Sequence, residues 1–465
     1  MNFKNFITSS QPQIDYKKIL IGLVIAALAI GFFARTFHIA LPQAQVFDEV
    51  YFPVFSNDFL SGKLAFDAHP TLGKLLMAPG IYLFGNQPYG WRIVVSLFGL
   101  LTIALVWWQN RKNKVEQTEN LILTFLIAID CMLVTYSRVG LIDGIMIFFI
   151  LLAYFVGLRS KTLWQYIVVG ILIGLAVSVK WIALGVVAPI GYVAFRKNKL
   201  PEFGAGLVAA AGIYLGIEVF ARVLTHSQHI WADIREWNWQ AWNYHKNLTA
   251  THPWSSEWWT WPLMLRPVLM YYQEVPPGSH IVETITNLGN PFVWWSATFS
   301  VVLSIGHLIR LAASKEKQSI LLVVGFIFLI GALMNAMVVK NMNGALLVVL
   351  ALAAFGTYLI EGKQAEGESV FDHPLMPMLV GYFAFYVPWM FIGRVVFLYH
   401  YLPCLIFSLF TLAWWLRQLY SSRPKLCVTF LTIALLLSIF YLPLNMGMPL
   451  PQKLLDAHFL IKGWL

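Results

Sequence analysis

The feature that most constrains this sequence is a series of recurring apolar runs, each of a length suited to crossing a ~30 Å hydrocarbon layer, joined mostly by short polar links. No single soluble core hides so many helices that are apolar all round, whereas lipid accepts helices whose backbone groups are satisfied internally. Composition agrees. Charged residues are 12% of the chain, against about 25% in soluble domains. The runs predict about 13 spans, at 19–34, 91–108, 119–137, 141–157, 162–178, 182–195, 203–221, 291–311, 318–338, 344–360, 375–392, 396–416 and 426–443. Leu72 to Gly85 is apolar but short and broken by Gly and Pro, and reads as a re-entrant or interfacial helix. The first run follows Lys17-Lys18, lacks a small-x-small cleavage site and runs into Arg35, so it reads as a retained anchor rather than a signal peptide.

The net charge of +10 is read as topology rather than nucleic-acid binding. Lysine and arginine gather in alternate short links: Lys17 and Lys18, Arg111 to Lys114, Arg159 and Lys161, Arg196 to Lys199, Arg310 to Lys317, Lys363, and Arg417 to Lys425. This places the N-terminus in the cytoplasm and, with an odd span count, the C-terminus outside. Two long loops then face outward, from about Arg35 to Gly90 and from about Arg222 to Asn290. Residues 1–465 read as one membrane domain without internal repeat. Cys131, Cys404 and Cys427 all lie in apolar runs and imply neither a disulfide framework nor a metal knuckle.

The first long loop carries FDEVYF at 47–52 and FDAHPTLGK at 66–74. A carboxylate of the Asp48-Glu49 pair can take the proton of an attacking hydroxyl; the alternative is that Asp48 caps a helix starting at Glu49. Arg35, Lys63, Lys74, Arg138, Lys180, Arg394 and His400 supply cations toward the same side, suited to a phosphate head group or simply snorkelling to the interface. The second loop is rich in aromatics: Trp231, Trp237, Trp239, Trp242, Trp254, Trp258, Trp259 and Trp261, with Tyr244, His245 and His252 between them. Two readings stand side by side, an interfacial belt and a platform for a sugar face or an extended peptide. Asp130 and Glu218 are carboxylates inside apolar spans, where function is the default expectation. The histidines lack HxxxH or HExxH spacing, so no metal site is expected.

These strings resemble the protein O-mannosyltransferase family, polytopic enzymes that move mannose from a polyprenyl-phosphate donor to Ser/Thr of exported proteins. The likeness runs through Arg35, Asp48-Glu49, FDAHPTLGKLL at 66–76, SRVGLIDGIMIFF at 137–149, SVKWIAL at 178–184, NPFVWW at 290–295 and GYFAFYVPWMFIGRVVFLYHYLP at 381–403, while HPWSSEWWTWPLMLRPV at 252–268 is similar to the bacterial branch. It departs from the family at Tyr51, where a His is usual, and at Pro70-Thr71, where a double proline is usual. The resemblance implies an all-α polytopic fold of the GT-C glycosyltransferase type. It makes Asp48 the catalytic base of an inverting transfer, with Glu49 beside it in acceptor or sugar positioning. Arg138, Lys180, Arg394, His400 and Arg35 are expected at the donor phosphate, and Asp67, His69 and Lys74 in loop support. The second loop is too short for the folded insert of eukaryotic members, which points to the plasma membrane of a prokaryote. No cofactor is implied, and a divalent cation stays open. The expected partners are a polyprenyl-phosphate-mannose donor, exported Ser/Thr polypeptides and membrane lipid. Rival readings are transfer of a lipid-linked sugar to a lipid or glycan, and a secondary transporter, which calls for inverted repeats and charges near the bilayer midplane.

Overall fold

Helix starts in this chain are set by residues that satisfy or dispense with the first free N–H groups. Asp15 accepts from the amides of Lys17 and Lys18 at 3.1 and 3.3 Å, opening α1 (Tyr16–Thr36). A computed structural model describes residues 15–109, 114–312 and 370–464. After α1, the first long loop holds α2 (Phe52–Leu60) and α3 (Leu72–Phe84). There follow α4 (Pro88–Trp108), α5 (Lys114–Ile129), α6 (Cys131–Thr135), α7 (Asp143–Arg159), α8 (Leu163–Val179), α9 (Val187–Arg196) and α10 (Leu200–Leu224). The second loop contains α11 (Ile230–Asn247) and the strands β1 (Leu269–Glu274) and β2 (Ile281–Thr286). Then come α12 (Pro291–Ala312), α13 (Leu375–Tyr386), α14 (Leu402–Ser422), α15 (Pro424–Met446), β3 (Leu450–Pro451) and α16 (Gln452–Ala457). Proline in the first turn opens α4, α10, α14 and α15, where its missing N–H costs nothing.

Among the described residues six helices are long and apolar enough to cross a membrane: α1, α4, α10, α12, α14 (with the turn before it) and α15. The remaining apolar helices are shorter, so helix length does not establish the count of about 13 spans. The expected spans 318–338 and 344–360 lie outside the described residues. Others are interrupted. The expected span 119–137 breaks at Asp130, whose carboxylate accepts from Leu133 N at 2.8 Å and caps α6. The break frees carbonyls of α5, and Arg35 takes up Ala128 O at 2.8 Å and Ile127 O at 3.2 Å. A helix broken in a buried apolar setting needs such a partner. The expected span 182–195 opens as a 3₁₀ turn over Trp181–Val186, and 375–392 ends as one over Val387–Phe391. Leu72 to Gly85 does form a short helix, α3.

An all-helical reading missed one small element. β1 and β2 pair antiparallel, with Tyr272 opposite Thr284, and β2 pairs with β3 through Val282 and Leu450. The β-branched and aromatic residues of MYYQE and IVETIT, with a Pro-Pro-Gly turn between them, are the signal that would have found it. This sheet ties the segment after α15 to the second loop, so both sit at one end of the bundle. Between α8 and α10, Gly170 faces Gly206 so closely that a side-chain carbon at either position would strike the opposite backbone. Small residues let two helices meet this way without a solvent-driven core.

Candidate active site

FDEV forms a single 3₁₀ turn, Phe47–Val50, that sends its two carboxylates to different environments. Glu49 is fully buried. It receives Arg92 Nε and Nη2 at 2.7 Å each, Gly140 N at 2.6 Å and Val46 N at 2.8 Å. Arg92 also donates to the carbonyls of Pro42 at 2.8 Å and Ala44 at 3.0 Å. The pair therefore nails the first loop to α4 and to the link between α6 and α7. Phe47, a bulky residue, is held at φ 52°, a left-handed conformation that costs about 1–3 kcal/mol and that the Glu49 anchor sustains.

Asp48 points the other way and is only half-buried. Among the described residues its carboxylate accepts no hydrogen bond and caps no helix; the turn is preceded by Val46, not by a capping side chain. Burial pushes its pKa up to about 6; Lys180 works against this, and Asp143 and Asp67 add to it. Lys180 ends α8 and lies 2.9 Å from both oxygens of Asp143, the first residue of α7. Its ammonium also sits 5.5 Å from the Tyr399 ring. Phe47 meets the same ring edge-on at 6.0 Å.

The string 66–74 forms the next wall. Lys74 pairs with Asp67 and donates to His69 O at 2.7 Å. His69 is held well below the usual imidazole range, by burial first and then by the cations Lys180, Lys74 and Arg394 and its neighbour His245. It is thus a neutral ring at neutral pH. Its neighbour His245 comes from α11, 5.5 Å away ring to ring, and contacts Ala68 O at 2.9 Å through Nε2. Thr71, at the departure from the family's double proline, gives its amide (3.3 Å) and hydroxyl (3.0 Å) to Glu218 Oε1, while Arg222 pairs with the other oxygen. Arg394 lies in the loop after α13. It lines an open cleft of about 490 Å³ together with His252, Ser255 and Glu257 of the second loop. His400 accepts from Phe397 N at 3.1 Å through Nδ1 and is enclosed by Trp261, Trp389 and Tyr399. Among the described residues no group of three or more His, Cys, Asp or Glu stands ready to hold a metal.

Asp48, Asp67, His69, Lys74, Lys180, Arg394 and His400 are thus gathered around one region. Arg35 and Arg138 are engaged elsewhere, each by backbone carbonyls. Arg35 is engaged by the α5 carbonyls. Arg138 donates to Ala34 O at 2.6 Å, Phe37 O at 2.9 Å, and His38 O and Met446 O at 3.3 Å, so it caps the ends of α1 and α15. Glu49 is likewise engaged, by Arg92 and the amides of Gly140 and Val46. Sequence reasoning passed over Arg92, Asp143 and Tyr399. Arg92 was visible as a cation at the head of an apolar run, and Asp143 and Tyr399 lie inside the strings SRVGLIDGIMIFF and VVFLYHYLP.

Known proteins resemble this chain over most of its length. Residues 25–198 match the family described as dolichyl-phosphate-mannose-protein mannosyltransferase. Residues 230–322 and 324–464 match the C-terminal four-transmembrane region of protein O-mannosyltransferase. The chain belongs to the protein O-mannosyltransferase family. It is similar to the polyprenol-phosphate-mannose–protein mannosyltransferase of Corynebacterium glutamicum, at 26% identity over 50% of this chain and 59% of the relative. The Mycobacterium tuberculosis protein of the same description is 26% identical over 49% of this chain and 58% of its own length. The chain thus spans less than two thirds of the curated relatives it matches. The structure of the S. cerevisiae protein O-mannosyltransferase Pmt1–Pmt2 complex bound to the sugar donor superposes with a TM-score of 0.71, covering 98% of this chain and 93% of that one. At 15% identity this likeness concerns the fold.

Proposed function

We propose that this protein transfers mannose from a polyprenyl-phosphate-mannose donor to Ser/Thr hydroxyls of proteins leaving the cytoplasm, with inversion at the anomeric carbon. The observation that carries the reading is the division of labour among the acidic groups. Glu49, Asp67 and Asp143 are each held in an ion pair, while Asp48 is partly buried, takes no hydrogen bond among the described residues and has a pKa raised by burial to about 6. That is the state of a general base able to work at neutral pH. Asp48 takes the hydroxyl proton as the oxygen–C1 bond forms and the C1–O bond to phosphate breaks, and polyprenyl phosphate departs. Lys180, Lys74 and Arg394 offset the charge that develops on the phosphate. A single displacement leaves no covalent sugar–enzyme intermediate and inverts the configuration.

The names of the relatives support mannose and a protein acceptor over a lipid or glycan acceptor, and membership of this family sets the transporter reading aside. The short second loop supports a prokaryotic plasma membrane, and the lysine and arginine distribution supports a cytoplasmic N-terminus with the site on the outer face. The test is direct. Membranes carrying the protein are given radiolabelled polyprenyl-phosphate mannose and a Ser/Thr peptide; label is expected on the peptide with wild type and not with Asp48→Asn. Label appearing on lipid or glycan instead, or an Asp48→Asn variant of normal turnover, overturns the reading.

A further inference from the structure

The second loop places its tryptophans in two different environments. Trp261 is fully buried and donates to Ser256 Oγ at 3.0 Å, and Trp237 packs inward against Arg222 and Phe66. Trp231, Trp239 and Trp242 of α11 are instead 68%, 61% and 57% exposed. At about 100° per residue, these three fall with Arg235 and Lys246 in one arc of about 80°. Arg235 and Lys246 are exposed as well. Asp233, Glu236 and Gln240 occupy a separate arc, and Ile234, Trp237, Ala241 and His245 face the protein. The helix is therefore split three ways: buried, acidic, and aromatic with basic flanks.

We propose that α11 docks on the membrane surface, its exposed indoles entering the interfacial layer and Arg235 and Lys246 meeting anionic phosphate head groups. Three observations select lipid as the occupant. First, α11 starts six residues after α10, a membrane-length helix whose last turns expose Phe220, Val223 and Leu224, so the apolar surface continues from one helix to the next. Second, the charge is sorted. The two basic residues share the aromatic arc and the acidic ones are excluded from it, which matches an anionic lipid surface. Third, the stripe looks away from the region around Asp48, because the face toward that region carries His245 and Trp237. A sugar or peptide platform would have to face inward. Through His245 at Ala68 and Trp237 at Phe66, the docked helix also ties the bilayer surface to the loop bearing Asp67 and His69.

Spin labelling in lipid nanodiscs tests this. The three native cysteines are buried, so nitroxides are introduced singly as Trp239→Cys, Trp242→Cys and Gln240→Cys in the full chain. Labels at 239 and 242 should collide more with lipid-dissolved oxygen than with a water-soluble nickel chelate, and the label at 240 should show the reverse. Raising phosphatidylglycerol against phosphatidylcholine should shift the 242 label deeper, and the Arg235→Gln/Lys246→Gln variant should abolish that shift. Equal water access at all three positions would overturn lipid docking. Shielding from both collision agents at 239 and 242 would overturn it too, pointing to a protein partner such as a second copy. A lipid-dependent shift that survives in the double variant would overturn the head-group assignment.

Discussion

Replacing Glu49 by Ala removes the acceptor of four hydrogen bonds in one step: two from Arg92 at 2.7 Å, and those of Gly140 N at 2.6 Å and Val46 N at 2.8 Å. The guanidinium left behind is 1% exposed. Stranding one member of a buried pair costs about 3–5 kcal/mol; because Arg92 keeps the carbonyls of Pro42 and Ala44, the lower end applies. Against a total stability of about 5–15 kcal/mol, that is a large loss. The neighbouring change Asp48→Asn removes no hydrogen bond among the described residues and relieves a carboxylate that burial disfavours, so stability should hold or rise while turnover falls by roughly 10²–10⁴. The assay pairs two readouts on purified protein in detergent: the temperature at which the monodisperse peak is lost, and peptide mannosylation. Glu49→Ala should melt early, and Glu49→Ala/Arg92→Met should recover part of the loss because no charge is left unpaired. A Glu49→Ala protein of wild-type melting temperature and no turnover would refute the reasoning, since Glu49 would then be the reacting carboxylate.

With Asp48 titrating near pH 6, turnover should climb about tenfold per pH unit below 6 and level off above it, and Lys180→Met should move the bend upward; a flat profile between pH 5 and 7 would count against Asp48. The linkage sign is the reverse for stability: because the folded pKa is raised from 3.8, the contribution of Asp48 is full below about pH 4 and is lost as pH rises through 6, so Asp48→Asn should flatten that part of the melting-temperature curve. Thr71→Val removes the hydroxyl from a buried acceptor and should cost about 1–3 kcal/mol, whereas Thr71→Ser should restore both stability and turnover; equal melting of the Val and Ser variants would show that the hydroxyl bond to Glu218 does not hold the loop. Arg138→Lys should lower the yield of folded, inserted protein while donor saturation in the surviving fraction stays normal, because one ammonium cannot span four carbonyls; a raised donor KM with normal melting would return Arg138 to the donor site.

Membrane class was legible from the chain because an apolar run is a local property: length and composition over some twenty residues decide it. The strings FDEVYF, FDAHPTLGK and SRVGLIDG were legible for the same reason, and they pointed to the correct family. Choosing between Asp48 and Glu49 from the residues was different, since adjacent carboxylates are chemically alike and only their surroundings separate them. Those surroundings are distant in sequence. Arg92 reaches Glu49 across 43 positions, and Asp143 meets Lys180 across 37. Arg35 and Arg138 read as phosphate ligands in the sequence, because a cation at a helix end looks alike whether it meets a ligand or a carbonyl. In the folded protein the break at Asp130 and the ends of α1 and α15 present carbonyls that lack intrahelical partners, and the two guanidiniums go there. Which polar group is engaged and which is left free is fixed by long-range packing, and that division is what leaves Asp48 open beside Lys180.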